Sequence, residues 1–91
     1  MSKFIGGSAK SMAHQLMEGY ILINPHKLKR FTLEELRSLK SELEKIQREL
    51  RVQQIPVEDT QAIQIKNHRL QKISSALLQI RTYCMKVFHR A

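Results

Sequence analysis

The chain has no tryptophan, one cysteine, two prolines and three glycines, and no carboxylate in its last 32 residues. Each scarcity excludes something. A lone cysteine, Cys84, forbids an intramolecular disulfide and fits a reducing compartment. Few prolines and glycines leave little punctuation for a turn-rich all-β fold and favour long, uninterrupted elements. The apolar run Tyr20-Ile21-Leu22-Ile23 is far short of the ~20 residues that cross a bilayer. No apolar stretch of the signal-peptide kind opens the chain, and Ser2 does not accept a myristoyl group. Cytoplasm is the expected location.

Charge is plentiful and uneven. The net charge is +8. Residues 1–31 carry +4, residues 32–59 carry −2, and residues 60–91 carry +6 with no acid at all. A basic end beside a mildly acidic middle is a statement about partners.

The middle segment, FTLEELRSLKSELEKIQREL, reads as a capped helix. Thr32 precedes Glu35 by three residues, the spacing of a capping box, and Phe31 with Leu36 fits a hydrophobic staple. Leu36, Leu39, Leu43, Ile46 and Leu50 step by three and four, a heptad seam. Lys40–Glu44, Glu44–Arg48 and Lys45–Glu49 stand at i,i+4 and add support along the surface. The spacing predicts a helix from Leu33 to about Gln54. Pro56 ends it, because the residue before a proline is driven from helical geometry.

Glu58 and Asp59 sit where a following helix starts, matched to its N-terminal dipole. Its seam is Ile63, Leu70, Ile73, Leu77, Ile80, Cys84 and Val87, interrupted by Lys66. Leu78 and Met85 lie seven apart and off that seam, as do Ile65, Ala76 and Phe88, so this helix has more apolar surface than one neighbour covers. A connection of a few residues predicts an antiparallel hairpin.

The N-terminal part is more ambiguous. Ala9, Met12, Ala13, Leu16, Met17 and Tyr20 have helical spacing behind a possible N-cap at Ser8, giving a short helix over about 9–22. GYILINP fits an extended arm equally well. The expected architecture is all-α: an antiparallel, coiled-coil-like helical hairpin over 32–91, and a basic arm with a short helix over 1–31. Two helices alone bury little apolar surface against the entropy of ordering them. The hairpin is therefore expected to dock on its own N-terminal segment, a second copy or a partner subunit.

Two basic clusters are candidates for binding. On the last helix Arg69, Lys72, Lys86 and Arg90 share a stripe with Gln79 and Tyr83 interleaved, and Lys66 adds charge nearby. Lys27, Lys29 and Arg30 stand in HKLKR, read as a connector before the capped helix. Such cations meet phosphates through charge and hydrogen bonds, and meet acidic protein surfaces equally well. A solvated face opposite the seam is the plain alternative. The basic-zipper echo fails because Pro25 and the Thr32 cap interrupt the run. IGGSAKS lacks the spacing of a nucleotide phosphate loop.

No metal site, cofactor or catalytic set is expected. His14, His26, His68 and His89 do not pair at ligand spacing, and Cys84 falls on the apolar seam with no base beside it. The expected function is a small non-enzymatic interaction protein. It would be a homo-oligomer or a subunit of a larger complex, binding a polyanion with nucleic acid the leading candidate. The alternative is an adaptor in a protein assembly with no nucleic-acid role. Attachment of the last helix to a membrane surface is disfavoured, since its seam is already committed to packing.

Overall fold

The structure is a computed structural model and describes residues 7–88. Its order is α1 (Ala9–Glu18), α2 (Pro25–Leu28), α3 (Leu33–Val52) and α4 (Thr60–Phe88). The fold is all-α with four helices, and no β-sheet occurs among the described residues. The molecule is elongated, 48 × 27 × 19 Å along its principal axes.

Each helix starts on a side-chain cap that satisfies an otherwise unpaired amide. Ser8 Oγ accepts from Ser11 N at 3.1 Å, and Asn24 Oδ1 accepts from Lys27 N at 2.9 Å. The capping box of α3 is closed both ways: Glu35 N donates to Thr32 Oγ1 at 3.1 Å, and Thr32 N donates to Glu35 Oε1 at 2.8 Å. Asp59 Oδ1 accepts from Ala62 N at 3.2 Å at the head of α4, filling the place the acidic pair was expected to take.

Three boundaries differ from the sequence expectation. Helix α1 stops at Glu18, short of residue 22, because Gly19 turns left-handed at φ 82°. The Gly19 and Tyr20 amides then close on the carbonyls of Leu16 and Gln15. Helix α3 ends at Val52, two residues before Gln54, where Gln53 is already extended. HKLKR is more than a connector: Pro25–Leu28 forms one helical turn, with Asn24 as cap and Pro25 preset for the first position. That turn delivers Leu28 into the core with no exposed surface.

One hydrophobic core joins the chain from Met12 to Tyr83. Leu36, Leu39, Leu43, Ile46 and Leu50 are all buried, as the α3 seam requires. Helix α4 packs against both α1 and α3. Its buried positions are Ile73, Ala76, Ile80 and Tyr83. Leu77 and Cys84 line grooves with α3 residues on one flank, and Lys72 and Gln79 line a groove with Leu16, Ile21 and Ile23 on the other. The inner face of α4 is thus shared between two neighbours, with Ile73 and Ile80 of the expected seam at its centre and Ala76 and Tyr83 beside them. Ile63, Leu70, Leu77 and Cys84 are half-buried rather than central.

Val87 is a correction to that seam, being 48% exposed. The core closes instead on Phe88, whose ring meets Tyr83 edge-on at 6.3 Å between centroids. Tyr83, expected on the basic stripe, is buried at 8% exposure. The i,i+4 pairs read along α3 are not closed: among the described residues the one ion pair within 4 Å joins Arg69 to Glu18.

Candidate functional site

The cations separate into those used within the chain and those left at the surface. Lys27 Nζ donates to the Leu22 carbonyl at 2.8 Å, bracing the turn between α1 and α2. Lys66 Nζ donates to the Gln53 carbonyl at 2.7 Å, where α3 presents its negative end. Arg69 Nε lies 2.8 Å from Glu18 Oε1, joining α4 to the last turn of α1. Lys72 is half-buried, with Cε 3.7 Å from the place a Cβ would take on Gly19. Lys29, Arg30 and Lys86 are exposed. Arg90 and His89 lie outside the described residues.

The expected stripe on α4 is therefore not assembled as one open face. Arg69 and Lys72 lie beside the C-terminal end of α1, Tyr83 is buried, and Lys86 is exposed. Periodicity within α4 carried no information about a second neighbour 51 positions earlier in sequence, where Glu18 stands.

A different arrangement of cations is present along α3 and α4. Arg37 and Lys40 on α3 face Arg81 on α4 across a groove of about 340 Å³. Its apolar lining is Leu33, Leu36, Ile80, Cys84, Met85 and Phe88, and no carboxylate among the described residues lines it. A second groove of about 360 Å³ lies beside it, lined by Lys40 and Arg81 again and by Glu44, Gln47, Ser74, Leu77 and Leu78. Gln47 Nε2 donates to Ser74 Oγ at 3.4 Å on its floor. Leu78 and Met85 stand on the α4 wall at 62% and 60% exposure. The sequence signal for this surface was the off-seam pair Leu78 and Met85, seven apart with Arg81 between them.

Cys84 is the only thiol, and burial pushes its pKa up while Lys40 and Arg37 pull against that rise. A thiol kept protonated is a poor nucleophile at neutral pH. His14, His26 and His68 are exposed. Among the described residues no three His, Cys, Asp or Glu side chains come together as a metal site, and no helix is long and apolar enough to cross a membrane. No protein-family model matches this chain, and neither curated proteins nor solved structures offer a match.

Proposed function

We propose that this chain is a non-enzymatic docking protein of a larger assembly, with α3 and α4 as an antiparallel hairpin braced by α1. Its partner is a protein surface carrying negative charge. One observation carries the choice of partner: Lys27, Lys66 and Arg69, three of the cations expected to meet a polyanion, each contact a group of their own chain at its surface. The cations that remain are interspersed with exposed apolar side chains, among them Leu78 and Met85. A phosphate backbone makes no use of such apolar surface, whereas protein interfaces are built from apolar centres with charged rims. Positive charge then steers association and selects against basic partners. The cytoplasm, with its reduced thiols, is the proposed setting for a chain with a single free cysteine.

The second reading is nucleic-acid binding through Lys29, Arg30 and Lys86, favoured by their exposure and by the charge of +8. One experiment separates the two. The full chain is immobilised and exposed to lysate with and without nuclease, and is titrated in parallel with duplex DNA and single-stranded RNA across salt. Under the docking reading, protein is retained after nuclease treatment and nucleic acid binds weakly at moderate salt. Tight binding whose log–log salt slope approaches about −0.9 per phosphate contact, with nuclease releasing all retained protein, gives the nucleic-acid reading instead.

A further inference from the structure

We infer that the groove between α3 and α4 is a receptor for an acidic amphipathic helix of a partner protein, with Arg37, Lys40 and Arg81 as its charged rim. The two grooves lie side by side along α3 and α4 with Lys40 and Arg81 lining both, and Glu44 lines the second. Together they reach from Leu33 to Gln47 on α3 and from Ser74 to Phe88 on α4. Fourteen steps on a helix make about 21 Å, the length of four helical turns. A helix laid there presents apolar side chains every three or four residues to the floor, the usual way a groove between two helices is filled.

Charge selects the occupant. Three cations border the groove between Leu33 and Phe88, and none is in an ion pair within 4 Å among the described residues. Carboxylates flanking the apolar stripe of the incoming helix would supply the missing partners. A second copy of this chain is a poor occupant: its own acidic helix, α3, already has its apolar seam buried in the protomer core, and the chain as a whole carries +8. The wall residues Leu78 and Met85, which packing within the protomer does not use, become contact area once a helix is seated.

This site rests on the docking reading above, and its test lets the two fail separately. The probe is a capped synthetic peptide of about 15 residues, four turns, with leucines at helical spacing flanked by glutamates. Two control peptides keep its composition, or its leucines: one permutes the positions to destroy the stripe, and one replaces every glutamate with lysine. Binding to the full chain is followed by fluorescence anisotropy. A second readout is the alkylation rate of Cys84, which lies in the lining and is the only thiol.

The acidic amphipathic peptide is expected to bind at least about tenfold more tightly than either control and to slow Cys84 alkylation at saturation. The triple variant R37E/K40E/R81E is expected to lose about tenfold or more in affinity. The variant K45E/R48E/R51E makes the same charge change on exposed positions outside the groove and is expected to keep most of it. Equal binding of the permuted peptide, equal loss in both variants, or unchanged alkylation of Cys84 at peptide saturation overturns the site. So does a wild-type dimer in light scattering that R37E/K40E/R81E dissolves, which makes a second copy the occupant. If a nuclease-resistant partner from lysate remains bound to R37E/K40E/R81E, the groove is overturned and the docking reading stands. If no protein partner is retained while the peptide behaves as expected, the docking reading falls and the groove's chemistry stands.

Discussion

Arg69 Nε sits 2.8 Å from Glu18 Oε1, and this contact fastens the last turn of α1 to the first half of α4. Both side chains keep about a third of their surface in water, 38% for Arg69 and 32% for Glu18. Solvent screening at that exposure limits the pair to about 1 kcal/mol or less. A double-mutant cycle with E18Q and R69M, read by urea unfolding, is expected to give a coupling in that range. It should shrink as salt is raised. A coupling of zero at low salt would mean that α1 is held by its apolar face alone.

Gly19 follows Glu18 directly and caps the end of α1. Its φ of 82° is available to glycine and costly for other residues. A Cβ placed there meets only Lys72 Cε at 3.7 Å, an ordinary contact, so the cost of Gly19→Ala is conformational. About 1–2 kcal/mol of destabilisation is expected, measured by urea unfolding.

Thr32→Ala removes one arm of the closed capping box and is expected to cost about 1 kcal/mol. Loss of helicity at the start of α3, followed by amide exchange at Glu35 and Leu36, is the checking measurement.

Leu28 and Val87 make a sharper contrast. Leu28 is fully buried although it stands between charged neighbours in HKLKR, whereas Val87 is half-exposed although it continues a heptad. Leu28→Ala is expected to cost about 2–5 kcal/mol and Val87→Ala less than about 0.5 kcal/mol. Thermal unfolding of the two variants side by side tests the placement of α2.

Cys84 gives a pH dependence. Burial raises its pKa in the folded chain, so the folded thiol holds its proton to higher pH than the unfolded one. Unfolding then releases a proton once pH exceeds the ordinary thiol value, and stability declines as pH rises through that window. Cys84→Ala is expected to remove this part of the alkaline decline, judged by comparing urea midpoints at neutral and alkaline pH.

Much of α3 was readable because its signals are local. Thr32 and Glu35 are three apart, and five seam residues keep one face toward the core regardless of what covers them. The α4 reading drifted because its face is set by two neighbours. A seam chosen to meet α3 alone counts Val87 and passes over Tyr83, which packs with Phe88, and Ala76, which lines a groove with Leu16 and the turn after α1. Helix α2 is too short for periodicity, and only the cap-and-proline pair Asn24-Pro25 announces it. The uses of Lys27, Lys66 and Arg69 depend on carbonyls and a carboxylate brought near by the tertiary fold, so no spacing along the chain revealed them. The groove was legible only as a remainder: Leu78 and Met85 had no place in the seam, Lys40 was read only as an i,i+4 partner of Glu44, and Arg37 carried no signal.

Helix α4 is 29 residues long in a molecule whose greatest dimension is 48 Å. At 1.5 Å per residue the helix itself measures about 43 Å, so a single rod runs nearly end to end. The other helices pack alongside that rod, so α4 sets the length of the molecule.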